Sequence, residues 1–284
     1  MSDLVQLFMQ SDVKLQSAIS FSQYAIPIGT NFRLITIIGE QHGLEFPCSP
    51  DTDQITIADY ALQSLKNPAA EVLLEIDPVF IASKQWPMSV PIRAILSQSP
   101  ESKNIKGYDY RNSWLGAIHR ENLYHKTDVL LKMTLKQILD HYAAPFDANR
   151  GRLFALQEAH YDTDAYQFLT QVFLKNLGVT MNHIVGAANS KWGGNRRDKK
   201  SIITMLRHFW KEVTDWYMLC EIFRLSEVDS IISIMGETHR QNLAGVFSNL
   251  TLLAAQQGNA AKCVSLMKTV YIKRYSPVSM PASS

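Results

Sequence analysis

The chain has few cysteines and no excess of either charge. Its 284 residues include three cysteines, Cys48, Cys220 and Cys263, without C-x-x-C spacing. This odd number argues against a disulfide framework and against a cysteine zinc site. Lys and Arg number 28 against 26 Asp and Glu, which leaves a formal net charge of +2. We therefore expect neither nucleic acid nor an anionic membrane as a partner.

Long hydrophobic runs are also lacking. No apolar stretch approaches the roughly 18 residues of a membrane span, and the first residues lack the basic and apolar regions of a signal peptide. We therefore expect a soluble, cytoplasmic protein. The composition, 46% hydrophobic with 13 Gly and 11 Pro, is typical of a globular chain and not of a disordered or fibrous one.

Short β-branched runs alternate with helical periodicities along the chain. Strands are predicted within residues 32–38, 72–76, 104–110, 179–185, 230–235 and 264–272. Most of these runs are continuously apolar, which is typical of strands that are covered on both faces. The alternation predicts an α/β fold with a mainly parallel central sheet and helices on both faces. We expect one domain over residues 1–284, with a helical insertion or cap at about 112–177.

Two segments depart from this pattern. Residues 187–200 are polar, basic and contain two glycines, which predicts a mobile loop. This loop is either a lid or anion-binding segment, or a solvated connection. Residues 276–284 are rich in Ser and Pro and are expected to be a disordered tail.

The most informative feature is a repeated tetrapeptide, Gly-Glu-x-His, that directly follows two of the apolar runs. The copies are Gly39-Glu40-Gln41-His42 and Gly236-Glu237-Thr238-His239. With average residue usage, this pattern is expected by chance only on the order of a few hundredths of a time in such a chain. Two copies in the same context indicate a shared purpose.

The carboxyl ends of parallel strands open into the crevice where ligands bind, so both copies should lie at one sheet edge. We predict that these two strands are adjacent or nearly so, in which case four side chains converge there: Glu40, His42, Glu237 and His239. Such a set can hold a divalent ion of the Mn²⁺, Zn²⁺ or Co²⁺ type, or perform acid–base chemistry on water. Alternatively, the acids stabilise helix starts and the histidines only satisfy hydrogen bonds.

Two other predicted strands end in charged residues. Glu75 and Asp77 lie at the end of the second strand, and Asp109 and Arg111 lie at the end of the third. At the same sheet edge, Glu75 would add a carboxylate to the site. The Arg111 guanidinium would bind a substrate carboxylate or carbonyl oxygen, or neutralise the acids. Asp77 and Asp109 fit a turn or ion-pair role equally well.

These motifs resemble the superfamily that joins the TIKI and TraB metalloproteases, the erythromycin esterases and the ChaN-like iron- or haem-binding proteins. Paired Gly-x-x-His motifs after two strands, an intervening acid and a following arginine carry the resemblance, which spans about residues 34–272. Gly-Glu-x-His is closest to the ChaN-like and esterase-like branches. The resemblance implies functional roles for six residues: Glu40, His42, Glu75, Arg111, Glu237 and His239.

The leading hypothesis is a hydrolase that cleaves an ester or peptide bond in a small-molecule or peptide substrate. Glu40 or His42 would activate water, Glu237 and His239 would complete a metal or acid–base set, and Arg111 would stabilise the oxyanion. The resemblance also implies an esterase mechanism with His as general base and no metal. Two alternatives stay open: a ChaN-like protein that binds haem or iron without turnover, and an inactive, partner-binding descendant of the fold.

Overall fold

The computed structural model describes residues 4–8, 13–16, 18–29, 31–41, 54–84, 89–116, 126–149, 154–248, 254–259, 263–266 and 269–273. The chain divides into two compact units. Unit 1 comprises Met1–Val72, Pro87–Asn104 and Glu227–Ser284, and unit 2 comprises Leu73–Trp86 and Ile105–Ser226. The prediction of one domain over the whole chain stays a prediction. The expected disordered tail at 276–284 lies outside the described residues.

The described strands are β1 (Leu4–Phe8), β2 (Val13–Gln16), β3 (Ala18–Ile28), β4 (Asn31–Glu40), β5 (Gln54–Thr56), β6 (Ala70–Leu74), β7 (Ile105–Gly107), β8 (Ser230–Gly236), β9 (Ala254–Asn259), β10 (Cys263–Leu266) and β11 (Thr269–Lys273). The described α-helices are α1 (Ile57–Ser64), α2 (Pro78–Ser83), α3 (Val90–Gln98), α4 (Arg111–Leu115), α5 (Thr127–Leu130), α6 (Leu135–Tyr142), α7 (Ala144–Asn149), α8 (Thr163–Gln167), α9 (Lys175–Lys191), α10 (Arg196–Phe223) and α11 (Glu237–Ser248). A 3-10 turn occupies Glu158–His160, and a π-helical segment, Phe168–Leu174, joins α8 to α9.

Unit 1 is built on a mixed sheet. Its strands lie in the order β6, β8, β4, β3, β9, and β4 runs parallel to β8 but antiparallel to β3. Strand β3 is also antiparallel to β9. Two smaller sheets pair β1 with β11 and place β2 between β10 and β5. The predicted α/β fold is confirmed, and the antiparallel strands β3 and β9 are an addition that the sequence patterns did not predict.

Helices cover both faces of this sheet. Tyr24 of β3 stacks on Phe247 of α11 with ring centroids 4.5 Å apart. The preceding residue, Gln23, donates to Thr36 of β4 at 3.1 Å, and Thr36 is hydrogen-bonded to Tyr60 of α1. Successive residues of a strand face opposite sides, so α11 and α1 lie on opposite faces. The buried isoleucines of β4 and β8 therefore form core on both sides.

Unit 2 contains the end of β6, strand β7 and most of the helices. Tyr108 follows β7 and donates its backbone N–H to the Leu74 carbonyl at 3.2 Å. The core is aromatic: Trp210 and Trp216 of α10 have no exposed surface, and Trp114 of α4 meets Trp210 edge to face at 5.5 Å. Every regular element described between residues 112 and 177 is helical. No helix in the described ranges is both long and apolar enough to cross a bilayer.

The prediction of a strand at 179–185 is wrong, because this segment lies inside helix α9. Leu177, Met181, Ile184 and Ala188 recur at helical spacing and are at most 2% exposed. Burial of this stripe outweighs the local preference of Val179 and other β-branched residues for a strand.

The predicted mobile loop at 187–200 is also wrong. Helix α9 continues to Lys191, and α10 begins at Arg196, so only residues 192–195 connect them. The Asn195 side chain accepts a hydrogen bond from the Asp198 N–H at 3.0 Å and caps α10. The polar residues of this segment form the exposed side of two helix ends, while Ala188 and Trp192 are buried.

Candidate functional site

The two Gly-Glu-x-His motifs lie side by side in unit 1. In the parallel pair β4 and β8, Gly39 is the partner of Met235, and Glu40 is the partner of Gly236. The predicted adjacency of these two strands is confirmed, and both end at the same sheet edge. Of the four predicted side chains, the structure describes Glu40, Glu237 and His239, whereas His42 lies outside the described residues.

The two copies differ in conformation. Strand β4 includes both Gly39 and Glu40, whereas β8 ends at Gly236 and Glu237 is the first residue of helix α11. The motifs are therefore neighbours without being structural repeats. His239 lies in the first turn of α11 and is 3% exposed.

The Glu237 carboxylate is held by three side chains. Arg240 donates from Nη2 to Oε1 at 2.8 Å and from Nε to Oε2 at 3.0 Å. Gln241 donates to Oε1 at 2.9 Å, and the Ser20 hydroxyl of β3 donates to Oε2. Arg240 also donates from Nη1 to the Ser22 hydroxyl at 2.7 Å, which fixes the guanidinium against β3. Helix α11 is thereby tied by its first turn to the sheet.

Gly39 makes room for this carboxylate. A Cβ at Gly39 would overlap Glu237 Oε2 and would lie 3.0 Å from Ser20 Oγ. The first motif therefore needs glycine because the acid of the second motif packs against its Cα. This close contact is the direct physical link between the two motifs.

Burial and hydrogen bonding act in opposite directions on Glu237. Burial raises the pKa of its carboxyl, but the hydrogen bonds from Arg240, Ser20 and Gln241 outweigh it, so the net pKa is lowered. Glu237 is consequently an anion at neutral pH. Its charge is matched by Arg240, whose side chain is only 6% exposed.

Glu40 approaches the sheet edge from the other side. Gly39 presents its Cβ position to the α11 face, and alternation along β4 directs the next residue to the α1 face. Glu40 is 3% exposed and His239 is equally buried. Glu40 ends β4 and Glu237 begins α11, so the two glutamates lie at one sheet edge but on opposite faces of the sheet.

The described residues do not by themselves fit a metal ion. Among them, no three His, Cys, Asp or Glu side chains are grouped closely enough to hold one. Both Glu237 oxygens already accept hydrogen bonds, and Arg240 supplies the cation. Of the predicted ligands His42, His239, Glu40 and Glu237, the last is thus engaged by the protein itself.

Unit 2 brings together Glu75 and Arg111. Arg111 Nη2 lies 2.9 Å from Glu75 Oε1, while its Nε and Nη2 bind the two Asp109 oxygens at 2.7 and 2.8 Å. The side chains of Arg111, Glu75 and Asp109 are 11%, 6% and 9% exposed. Two carboxylates therefore share one buried guanidinium. This arrangement favours the second predicted role of Arg111, the neutralisation of acids.

The charge of Asp109 is secured by its partner. Burial raises the pKa of this carboxyl, but the Arg111 charge and hydrogen bonds outweigh burial and lower the net pKa. Thr214 adds a hydroxyl hydrogen bond at 3.3 Å. Asp109 is thus a buried anion and an ion-pair member.

Asp77 has a structural role. Its Oδ1 accepts from the Val79 N–H at 3.0 Å and caps α2, and its Oδ2 accepts from the Ser113 N–H at 2.9 Å and the Ser113 hydroxyl at 2.8 Å. The residue joins the start of α2 to α4. This agrees with the turn role that the sequence left open.

Sequence reasoning missed Arg240, Ser20 and Ser22. Arg240 carried a usable signal, because a residue three positions after Glu237 shares its side of a helix. The serines carried none, since they lie 217 and 218 positions from their partners.

The chain matches no protein-family model, no curated protein and no solved structure.

Proposed function

We propose that this protein is a hydrolase that cleaves an ester or peptide bond at the edge where β4 and β8 end. One observation carries the proposal: the register of these parallel strands sets the two Gly-Glu-x-His motifs side by side, with Glu237 packed on Gly39. Such strand ends are where α/β proteins bind their ligands.

The residues of the two motifs have different roles in the reaction. A histidine, His239 or His42, takes a proton from water as the water oxygen attacks the carbonyl carbon, and it then returns that proton to the leaving alkoxide or amine. The Glu40 carboxylate orients the water or stabilises the imidazolium that forms. Both Glu40 and His239 are buried, where such charge interactions are stronger than in bulk water.

Glu237 and Arg240 act as positioning residues in this proposal. Their pair fixes the first turn of α11 to Ser20 and Ser22. His239 lies in the same turn, so its ring position depends on this pair. A divalent metal would polarise the carbonyl or the water if His42 and the nearby residues bind one.

The test compares the histidines under matched conditions. Purified protein is assayed with a panel of nitrophenyl esters and short fluorogenic peptides, with chelator or with added Mn²⁺, Zn²⁺ or Co²⁺. Loss of the histidine that acts as the base, in either His239→Ala or His42→Ala, should lower kcat/KM by about 100-fold or more, as expected for loss of an acid–base group. His183→Ala, an exposed histidine on α9, is the control and should retain full activity.

Four outcomes discriminate among the alternatives. Activity that survives chelator supports the metal-free mechanism, and activity that Mn²⁺ or Zn²⁺ restores supports the metal-dependent one. Full activity in both His239→Ala and His42→Ala contradicts the proposal. A Soret band in the absorbance spectrum, with no turnover of any substrate, would favour the ChaN-like haem-binding alternative.

A further inference from the structure

The start of helix α10 carries an unusual density of positive charge. Residues 187–211 contain seven Lys or Arg and a single acid, Asp198, although the whole chain has nearly equal numbers of both. The net charge of +2 therefore conceals a strongly basic segment in an otherwise acidic chain. The small net charge of the whole chain therefore does not exclude a polyanionic partner for this surface.

The cations form a line along one side of the helix. Arg197, Lys200 and Lys211 share a helical face with Ser201 and His208, and all but the half-buried Lys211 are exposed. This set is called the basic face. At 1.5 Å per residue, it extends for about 21 Å from Arg197 to Lys211. No acid is exposed on this side of α10 over that length.

Local stability does not account for these charges. Cations in the first turn of a helix oppose the helix dipole and disfavour it by roughly 0.3–1 kcal/mol each. Arg196 pairs with Asp128, and Lys199 lies 5.5 Å from the Trp192 ring centroid. No ion pair in the described part of the chain involves Arg197, Lys200 or Lys211.

We propose that the basic face binds the phosphodiester backbone of a nucleic acid strand. A narrow track of Lys and Arg with an interspersed hydroxyl fits a linear row of phosphates, and such contacts bind without reading bases. A membrane partner is less well matched, because Trp192 is 5% exposed and the large hydrophobic side chains exposed in the described ranges lie outside residues 187–211.

The experiment measures binding of the full chain to a fluorescently labelled single-stranded oligonucleotide of about 20 nucleotides, and to its duplex, by anisotropy. With about three phosphate contacts, raising salt from about 50 to about 200 mM should weaken single-strand binding roughly 10- to 20-fold. Arg197→Glu combined with Lys200→Glu should weaken binding at least about tenfold and flatten the salt dependence. Different base sequences should bind alike.

The matched control reverses two exposed lysines elsewhere, Lys103→Glu with Lys175→Glu, which gives the same change in net charge. This control should bind nearly as well as the wild type. The Arg197 and Lys200 reversals place acids near the start of α10, so the melting temperature should stay equal or rise while binding falls. If that variant fails to fold, Arg197→Gln with Lys200→Gln gives the same comparison.

Equal loss of binding in both double variants would reduce the effect to net charge and overturn the proposal. Absence of oligonucleotide binding at low salt would overturn it as well. Binding to vesicles that contain phosphatidylserine, without oligonucleotide binding, would assign the basic face to a membrane surface instead. None of these residues belongs to the proposed hydrolase site, so the two proposals fail independently.

Discussion

The Glu237 carboxylate rests against the Cα of Gly39, so the two motifs touch at a residue without a side chain. Gly39 is an ordinary strand residue whose φ is not positive, and its freedom of conformation is therefore not what the site requires. The site requires space. A substitution at this position tests the contact between the motifs directly.

We predict that Gly39→Ala displaces Glu237. The added methyl group overlaps Oε2 and comes within 3.2 Å of Arg240 Cδ, so the ion pair and the Ser20 hydrogen bond must rearrange. Such overpacking costs typically about 1–3 kcal/mol. Urea unfolding should show this loss, and hydrolysis should fall because the first turn of α11 moves.

Gly245 provides the control in the same helix. A Cβ there meets nothing within 4 Å. At an exposed position inside a helix, alanine is more favourable than glycine. Gly245→Ala should therefore raise the free energy of unfolding by about 0.5–1 kcal/mol and leave activity unchanged. Equal stability of Gly39→Ala and the wild type would show that the contact of Glu237 with Gly39 does not contribute to stability.

At the level of elements, the sequence predicts best those strands that are continuous apolar runs. Strands β4, β6 and β8 are continuous apolar runs that end at glycine or at a turn, and their buried residues lie close to the predicted positions. Strand β3 escaped prediction because Ser20, Ser22 and Gln23 place polar groups on both of its faces. Those groups are buried and form hydrogen bonds with residues that are distant in the sequence, which no local pattern reveals.

The candidate site likewise has features that could be predicted from the sequence and features that could not. The motifs and their shared sheet edge could be predicted, because strand ends are visible in the sequence. The engagement of Glu237 by Arg240 could not, since it depends on the exact start of α11 and on a strand more than 200 residues away. The confinement of Arg111 by two carboxylates likewise depends on the pairing of β6 with β7.

Asp77 connects two helices of unit 2, so its removal should destabilise both. We predict that Asp77→Ala lowers the free energy of unfolding by about 2–4 kcal/mol, because the α2 cap is lost and the Ser113 N–H loses its buried acceptor. Asp77 is 1% exposed, so water does not readily replace these bonds. Urea unfolding followed by circular dichroism measures the change.

Asp162→Ala is the comparison for this prediction. Asp162 caps α8 by accepting one hydrogen bond from the Ala165 N–H at 2.8 Å, and among the described residues it anchors no second helix. Its loss should cost about 1 kcal/mol, the usual value for a helix cap. If the two substitutions cost the same, the bridge from Asp77 to Ser113 contributes nothing to stability.

At the scale of the whole molecule, each unit contains a buried arginine that pairs with carboxylates. Arg240 holds Glu237 in unit 1, and Arg111 holds Asp109 and Glu75 in unit 2. The pKa values of Glu237 and Asp109 are lowered, since the hydrogen bonds and arginine charges outweigh burial. Both groups therefore stabilise the fold fully above the carboxyl pKa of the unfolded chain, and this contribution is lost as the pH falls toward the folded value.

Arg111→Met should reverse the pH dependence in unit 2. Without the guanidinium, burial dominates, so the pKa of Asp109 rises above its ordinary value and stability improves as the carboxyl takes up a proton. We expect a loss of about 3–5 kcal/mol at pH 7, the usual cost of leaving buried charge unpaired, and a smaller loss near pH 4. Lys106→Met, which removes a more exposed ion pair with Glu221, should cost about 0–1 kcal/mol at both pH values. Urea unfolding of the three proteins from pH 4 to pH 7 measures the difference, and a loss for Arg111→Met that does not shrink toward pH 4 would assign the arginine a packing role.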